Sequence, residues 1–383
     1  MLHHEKFDVF TKLRSDFANN RFSWIGSCED FCLGYITFAS VLHAEVDTVC
    51  RPVGSFVIGH TATGKTQFLE ALCQLFPQQR IINLTTASTK SLIYECRNNS
   101  RYLNGKIVFV EELSGIKNKE IQYLLRVLLT KGYAVHNTVL SGQAENIEIH
   151  GAISLQSTGL STDILRDDTM NRLVIFESDD SQHRTAAVIG NIIDRYTKRS
   201  ILTSDEFPDY LAFFASLKAY PVIIPYGDRI RFDTKNFATR RSSKIFMDLL
   251  SAVTLINQHH RQIEDSAVVS EFADFELLVA LTNKPRKPPE QLLAPPQVSI
   301  LKAIDLVTDK ARFTYQDVLG SKPCGSNGEP YTLSSIKKAM FKLRSLGLVN
   351  VVQNSRPAYF ALPKVPPANR FGVVWPERLS LSL

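Results

Sequence analysis

The sequence of 383 residues lacks long hydrophobic runs, internal repeats and low-complexity tracts. A membrane-spanning helix needs about 20 consecutive, mostly apolar residues, and no such run occurs. The N-terminus leads into a mixed helical pattern rather than the apolar core of a secretory signal. We therefore expect a cytoplasmic protein with no membrane partner.

Cysteines are few and scattered, with six in the chain. Cys28 and Cys32 lie one helical turn apart, but no second Cys or His pair at zinc spacing follows them. A structural zinc site and a disulfide framework are both excluded on this pattern. The cysteines predict reduced thiols, several of them in the core.

The net charge of +6 is modest but unevenly distributed. From Thr282 to the end, fifteen Lys and Arg face six Asp and Glu, a surplus of nine. The rest of the chain, with 29 against 32, carries about −3. A basic C-terminal module suggests that polyanions are handled at that end, although solvated surface lysines would explain the same counts.

Apolar periodicity divides the chain into segments of different character. Strands alternate with helices over residues 51–195, which predicts an α/β fold with a parallel sheet in a three-layer α/β/α core. The predicted strands are 55–58, 80–84, 106–110, 153–158 and 173–176, with a hairpin of 133–140 and 146–150 around Ser141-Gly142. The other segments are an N-terminal helical segment (1–50), a helical lid (196–284), a Pro/Lys-rich linker (285–296), a compact C-terminal unit (297–364) and a tail (365–383).

The most specific motif lies between the first predicted strand and the helix after it. It reads Gly59-His60-Thr61-Ala62-Thr63-Gly64-Lys65-Thr66 and fits G-x-x-x-x-G-K-[ST]. Its glycines let backbone N–H groups curl around an anion, and the following helix directs its positive end at the phosphates. Lys65 is predicted to reach the β- and γ-phosphates of ATP, and Thr66 to ligate Mg²⁺. The motif predicts a nucleoside-triphosphate hydrolase.

A second apolar strand ends in two acids. Lys106 to Val110 runs into Glu111 and Glu112, about 45 residues after the phosphate loop. Glu111 is predicted to hold Mg²⁺ through water and Glu112 to polarise the attacking water. The alternative is a strand that simply ends in solvated acids.

Two further features extend the predicted site. Ser157 and Thr158 end a strand, where a polar side chain could lie beside the γ-phosphate. Arg172 precedes another apolar strand, where it could stabilise transition-state charge in a neighbouring subunit. Ordinary capping or surface roles are the alternatives for all three residues.

Together these residues resemble the AAA+ ATPases, and among them the minichromosome-maintenance-like helicases of phages, plasmids and integrative elements. The resemblance covers about residues 50 to 280. It implies that Glu111 and Glu112 are the Walker B pair, that Ser157 or Thr158 is the first sensor and that Arg172 is the trans-acting finger. It also implies that Arg240 or Arg241, at the start of a later helix, is the second sensor that contacts nucleotide.

The same resemblance implies an oligomer, a hexamer in the helicases, with single-stranded DNA in its pore. The hairpin of residues 131–150 would contact that DNA, with Lys131 at its base. A primase, or a replication or transposition protein, would be a further partner. The hairpin tip, 141–145, has no Lys or Arg and would grip phosphate weakly. A non-unwinding ATP switch, such as a loader or transposition regulator, therefore stays open beside the helicase.

The C-terminal unit has the element order of a winged helix. Helices at 298–308, 315–319 and 332–346 precede strands at 348–353 and 358–362. The third helix of this plan normally enters the major groove of duplex DNA. Its predicted core positions are Ile336, Ala339, Phe341 and Leu343. The predicted phosphate contacts are Lys337, Lys338, Lys342, Arg344 and, in the wing turn, Arg356. A winged helix that contacts only protein, or one that serves a transcription factor, is the alternative.

Overall fold

The computed structural model of the protein describes most of the chain in two compact units. The first unit comprises residues 1–160, 172–229 and 244–282, and the second comprises 161–171, 230–243 and 283–383. The described residues are 7–19, 22, 26–46, 49–84, 89–112, 119–140, 143–160, 169, 172–197, 207–232, 239–282, 295–307, 312–325, 328–345, 349–353, 358–361 and 373–374.

A five-stranded parallel sheet forms the centre of the first unit, with the strand order β2-β3-β6-β1-β7. Its strands are β1 (Gly54–Ile58), β2 (Ile81–Asn83), β3 (Ile107–Val110), β6 (Ser154–Gly159) and β7 (Leu173–Glu177). Every residue of β1, β3 and β6 is buried, as expected for a sheet covered on both faces. The predicted α/β fold is confirmed, and β6 lies between β1 and β3.

Nine described helices are assigned to this part of the chain, up to residue 282. They are α1 (Val9–Ala18), α2 (Cys28–Ala39), α3 (Lys65–Cys73), α4 (Thr89–Asn98), α5 (Lys119–Lys131), α6 (Gln182–Thr197), α7 (Pro208–Ser216), α8 (Thr239–Ile256) and α9 (Phe272–Thr282). Asp8 and Ser27 cap α1 and α2 by accepting backbone N–H bonds in the first turn. Helix α6 covers Gln182–Thr197 and so lies almost entirely before residue 196, where the sequence predicted the helical lid to begin.

Helix α2 is buried along nearly its whole length. Phe31, Tyr35 and Phe38 join an aromatic cluster with Phe22, Phe68, Phe76, Phe207, Tyr210 and Phe214. A Cβ at Gly34 would lie 2.6 Å from Leu72 Cδ1 and 3.2 Å from Phe68 Cζ. Glycine at this position therefore sets how closely α2 approaches α3.

The predicted hairpin is present and longer than expected. Strands β4 (Tyr133–Leu140) and β5 (Gln143–His150) pair antiparallel from Tyr133–His150 to Leu140–Gln143. The second strand thus begins three residues before the predicted Asn146. Because β4 follows α5 and β5 leads directly into β6, the base of the hairpin lies at the amino end of the sheet.

The predicted helical lid also contains short strands that the sequence did not indicate. Strands β8 (Val222–Ile223), β10 (Ile263–Glu264) and β11 (Ala267–Val269) form a small sheet in the order β10-β11-β8. In the same region of the chain, the buried carboxylate of Asp274 accepts bonds from Arg261 Nη2 at 2.7 Å and Nε at 3.0 Å. Strands of two or three residues are too short to show a period of two.

A second buried carboxylate ties α8 to the segment before β1. Asp248 accepts bonds from Lys244 Nζ at 2.7 Å and from the Arg51 N–H at 3.3 Å. Burial raises the pKa of Asp248 to about 6, although Lys244 and Arg51 act in the opposite direction. The Asp248 carbonyl contacts His43 Nε2 at 3.1 Å, and burial lowers the pKa of this histidine to about 4.

The second unit contains the element order expected of a winged helix. Its elements are β9 (Arg231–Phe232), α10 (Pro295–Val307), α11 (Tyr315–Gly320), α12 (Leu333–Ser345), β12 (Asn350–Gln353), β13 (Tyr359–Ala361) and β14 (Val373–Val374). Strands β12 and β13 pair antiparallel, and Phe313 bridges to Phe360. The three helices and the strand pair share a core that includes Ile304, Phe313, Met340, Leu343 and Phe360.

The phase of α12 differs from the prediction. Ile336, Ala339, Met340 and Leu343 are buried at a spacing of three and four residues, whereas Phe341 is 52% exposed. Phe341 therefore does not belong to the core, because Met340 takes its place on the inner face. Lys342 is only 6% exposed, which corrects its expected position on the open face of the helix.

Candidate functional site

The phosphate loop connects the buried strand β1 to the first residue of α3. Gly59 has a φ of 153° and Gly64, which precedes α3, is left-handed with a φ of 81°. A Cβ at Gly59 would lie 1.7 Å from Ser178 Oγ. Both glycines are thus required by backbone conformation or by close approach. Ala62 also has a positive φ, at 65°.

Hydrogen bonds inside the loop converge on one carbonyl oxygen. The His60 carbonyl accepts from Lys65 Nζ at 2.6 Å and from Thr63 Oγ1 at 2.8 Å. Thr63 Oγ1 also lies 2.7 Å from Ser178 Oγ, and His60 Nε2 lies 3.8 Å from Asp180 Oδ2. The residues after β7 therefore brace the phosphate loop. Ser178 was not predicted from the sequence, where its only signal is its position immediately after a strand.

The two predicted acids lie next to the loop, at the carboxyl end of β3. Glu111 and Glu112 follow Val110 and are exposed. Burial lowers the pKa of Lys65, while the carboxylate of Glu112 acts to raise it. Glu112 therefore lies within electrostatic range of Lys65. Cation and carboxylate thus occupy the same edge of the sheet.

The two sensor candidates on β6 differ in their hydrogen bonding. Thr158 Oγ1 donates to the backbone carbonyl of Glu111 and so connects β6 to the acid-bearing turn after β3. Ser157 pairs with Phe56 on one side and Val110 on the other. Within the described part of the chain, its buried Oγ has no hydrogen-bond partner. Thr158 is therefore engaged in holding the acid turn, whereas the Ser157 hydroxyl remains available.

The side chains at this edge fit a triphosphate with a hard divalent cation. A helix N-terminus and Lys65 supply the positive electrostatics that phosphate oxygens require. Thr66 and Glu111 carry hydroxyl and carboxylate oxygens, the kind of ligand that Mg²⁺ prefers. Thr66 follows Lys65 in the first turn of α3. Glu111 follows β3, which is separated from β1 by β6. The candidate residues of the loop and the acid strand are thus brought to one edge.

Arg172 lies at the other end of the sheet, where the parallel strands begin. It immediately precedes β7, and its Nη1 donates to Thr130 Oγ1 in the last turn of α5. Because β7 runs parallel to β1, its amino end points away from the phosphate loop. Five residues at about 3.3 Å each separate the two edges by roughly 15 Å. The structure therefore does not bring Arg172 to the loop of its own chain.

The remaining predicted residues are distributed over other elements. Arg240 and Arg241 are exposed in the first turn of α8, in the residues assigned to the second unit. Lys131 is exposed at the end of α5. On α12, Lys337 and Lys338 are exposed and Arg344 is half-buried, with Lys337 Nζ 5.8 Å from the centre of the Tyr315 ring. Arg356 lies outside the described residues.

Sequence comparison agrees with this geometry for about half of the chain. Residues 27–215 match the family described as MTBMA_p00010 P-loop domain. They contain the phosphate loop and all five strands of the parallel sheet. These residues form a P-loop domain, which implies nucleotide binding and hydrolysis. None of the curated proteins matches the chain.

No helix within the described ranges is both long and apolar enough to cross a membrane.

Proposed function

We propose that the protein is an ATP-hydrolysing, oligomeric DNA motor of the AAA+ replicative-helicase type, with a hexamer as its working form. ATP and Mg²⁺ would lie between two subunits. One subunit contributes Lys65, Thr66, Glu111 and Glu112, and its neighbour contributes Arg172. The single observation that supports this proposal most is the placement of Arg172 at the edge of the sheet opposite the phosphate loop.

Each residue at the carboxyl edge has a chemical role in this proposal. Lys65 neutralises charge that develops on the phosphates, and the α3 N-terminus supports it. Glu112 accepts a proton from the attacking water, while the Thr158 bond to the Glu111 carbonyl fixes the turn that carries both acids. Ser157 contributes a hydroxyl beside the γ-phosphate. Arg240 or Arg241 is proposed to contact nucleotide as a second sensor.

Mixing two inactive variants tests the shared site. Lys65→Ala alone and Arg172→Ala alone should each hydrolyse ATP at least about 100-fold more slowly than wild type, since an arginine finger contributes roughly 10³-fold or more. Arg172→Ala should still bind nucleotide. A mixture should regain activity, because it forms sites with an intact loop from one variant and an intact arginine from the other. Phosphate release at several mixing ratios measures this.

The control for the mixing experiment is a protein that carries both substitutions. Adding it to wild type should lower the activity, because each incorporated double variant disables the two sites that it shares. Adding it to either single variant should restore nothing. Arg312→Ala, which removes an exposed arginine in the second unit, should hydrolyse ATP normally. Wild-type turnover by Arg172→Ala, or no recovery at any ratio, would remove the trans role of Arg172.

DNA contact is proposed at two places. The hairpin β4–β5, with Lys131 at its base, would contact single-stranded DNA, and α12 would contact the duplex backbone through Lys337, Lys338 and Arg344. Replacing Lys337 and Lys338 together by Ala should lower the salt slope of DNA binding by about 2, because two phosphate contacts disappear. Lys302→Ala, another exposed lysine of the second unit, is the matched control. An unchanged slope would favour a protein-binding winged helix.

A second function, a non-unwinding ATP switch that loads or recruits a partner on DNA, is favoured by one specific observation. The described exposed side chains of strands β4 and β5, which are Tyr133, Val135, Asn137, Asn146 and Glu148, include no cation, and Lys131 lies only at the base of the hairpin. A strand-displacement assay separates the two functions. Unwinding coupled to ATP hydrolysis supports the motor, whereas DNA-stimulated hydrolysis without displacement supports the switch.

A further inference from the structure

Two side chains of the phosphate loop share one backbone acceptor. The His60 carbonyl accepts a hydrogen bond from Lys65 Nζ at 2.6 Å and another from Thr63 Oγ1 at 2.8 Å. A carbonyl oxygen has two lone pairs, so it can accept both bonds at once. The orientation of this carbonyl therefore helps to set where the Lys65 ammonium group lies.

A hydroxyl from outside the loop extends the chain of hydrogen bonds that leads to this carbonyl. Ser178 Oγ lies 2.7 Å from Thr63 Oγ1. Each hydroxyl has only one proton to donate. Because the Thr63 proton is donated to the His60 carbonyl, the contact with Ser178 requires the serine to donate and the threonine to accept. We call the Ser178 hydroxyl, the Thr63 hydroxyl and the His60 carbonyl the Ser178 relay.

The parallel sheet places the first member of the Ser178 relay. Ser178 directly follows β7, and its N–H donates to the Ile58 carbonyl at 2.8 Å, at the end of β1. Its hydroxyl passes so close to Gly59 that a Cβ at that position would lie 1.7 Å from Oγ. Glycine at position 59 is thus required for the serine to reach the loop. The relay connects the loop to a residue that two neighbouring strands hold in place.

We propose that Ser178 is a positioning residue for ATP hydrolysis, which acts through the Ser178 relay on the ammonium group of Lys65. This inference rests on the proposed hydrolysis of ATP at the loop, and it requires neither the oligomer nor DNA. Hydrogen bonds in a chain polarise one another, so the bond from Ser178 makes the Thr63 hydroxyl a stronger donor. A lysine that is oriented in advance stabilises phosphate charge without reorganisation during the reaction.

Removal of the serine hydroxyl tests the first member of the relay. Ser178→Ala should lower kcat/KM for ATP about 10-fold, because one hydrogen bond that orients the lysine is lost. Ser181→Ala makes the same change three residues later, where the hydroxyl accepts a bond from the Arg184 N–H in the first turn of α6. This control should hydrolyse ATP as wild type does, even if its Tm falls. Phosphate release measures hydrolysis, and thermal unfolding records any loss of stability.

Variants of Thr63 test the middle member of the relay. Thr63→Val keeps the shape of the side chain but can neither donate nor accept, and it should lower kcat/KM about 10-fold. Thr63→Ser keeps the hydroxyl in a smaller side chain and should restore most of the rate. The double variant Ser178→Ala, Thr63→Val should be within about 2-fold of Thr63→Val alone, because the two hydroxyls act in one chain. Independent contributions would multiply to about 100-fold and would contradict the relay.

A Lys65→Ala background tests whether the relay acts on the lysine. Ser178→Ala should raise the Kd of a fluorescent ATP analogue about 5-fold in the otherwise wild-type protein. In the Lys65→Ala background it should change this Kd by less than about 2-fold, because no ammonium group remains to be positioned. An equal loss in both backgrounds would mean that Ser178 shapes the loop as a whole, and would overturn its action on Lys65.

The outcomes for the relay and for the proposed function are distinguishable. Normal hydrolysis and binding by Ser178→Ala would overturn the relay, while hydrolysis by wild type would still support the proposed function. If wild type binds the analogue but does not hydrolyse ATP, the proposed motor is overturned, and the Kd values alone then decide whether Ser178 positions Lys65.

Discussion

The two ends of the parallel sheet differ in how completely each is built. At the carboxyl end, the phosphate loop is held by bonds to the His60 carbonyl and by contact with Ser178. At the amino end, Arg172 donates a hydrogen bond to Thr130 in the last turn of α5, close to the base of the hairpin. The first end is organised to bind a ligand within one chain. The second end carries exposed residues such as Lys131 and Tyr133.

Strand β7 connects these two ends directly. Arg172 precedes it and Ser178 follows it, so one strand of five residues joins the arginine proposed to act on a neighbour to the serine that braces its own loop. The Ser178 N–H also donates to the Ile58 carbonyl at 2.8 Å, at the end of β1. A shift of β7 along its axis would therefore move both Arg172 and Ser178.

The largest expected difference between the two ends concerns nucleotide itself. Lys65→Ala at the carboxyl end should lower kcat/KM for ATP at least about 100-fold, because it removes a charge directed at the phosphates. Lys131→Ala, an exposed lysine at the amino end, should keep it within about 2-fold. Phosphate release and titration with a fluorescent ATP analogue measure both variants. Similar losses from the two substitutions would contradict the division between the ends.

A carboxylate exchange sharpens the same comparison. Glu112→Gln should retain nucleotide affinity and lose turnover by about 100-fold or more, since the general base disappears while shape is kept. Glu148→Gln makes the same change on β5, at the amino end, and should leave turnover unchanged. Single-turnover hydrolysis with pre-bound ATP separates chemistry from binding. Normal turnover by Glu112→Gln would assign the base to another residue.

The hydrogen bond between β6 and the acid turn should have a smaller effect. Thr158→Val removes the donor to the Glu111 carbonyl and should lower kcat about 10-fold with little change in KM, the usual scale of one hydrogen bond. Thr158→Ser keeps the hydroxyl and should restore most of the rate, which a purely structural defect would not allow. Equal rates for the Val and Ser variants would rule out this positioning role.

The smallest expected effect is a pH dependence of stability near the amino end of β1. Asp248 has a raised pKa of about 6 in the folded protein, so the stability linked to its protonation is lost as the pH rises through 6. Asp248→Asn should therefore gain about 2–4 °C in Tm relative to wild type at pH 7.5 compared with pH 5. Using the difference between the two proteins removes the opposing contribution of His43. A constant difference across this range would show that Lys244 compensates the charge fully.

The phosphate loop and the strands of the parallel sheet could be predicted from the sequence. The phosphate loop and the apolar strand ending in Glu111 carry local signals, because backbone conformation and burial dictate their residue types. Their meeting at one edge follows from the parallel sheet. By contrast, neither Ser178 nor the contact between Asp248 and Arg51 could be found, since each joins residues that are more than 100 positions apart in the chain.

Two further predictions were limited because the sequence does not show which of two adjacent residues faces the core or the site. Ser157 and Thr158 are adjacent in a strand, so alternation places them on opposite faces but does not say which hydroxyl is engaged. On α12, Met340 and Phe341 are both apolar, and only packing shows that Met340 faces the core. A one-residue error of this kind moves an aromatic side chain from the interior to the surface, among Lys337, Lys338 and Arg344.

Gly34 gives position 34 an influence on the chemistry that its distance in sequence from the phosphate loop conceals. A methyl group there would press on Leu72 and Phe68, in the helix whose first residues are Lys65 and Thr66. Alanine at this position would require Leu72 or Phe68 to shift within the aromatic cluster. Overpacking of this kind typically costs about 1–3 kcal/mol, so the variant should unfold at a lower temperature than wild type. Gly34→Ala is therefore a natural candidate for a temperature-sensitive allele, one that folds in the cold and loses its activity when warmed.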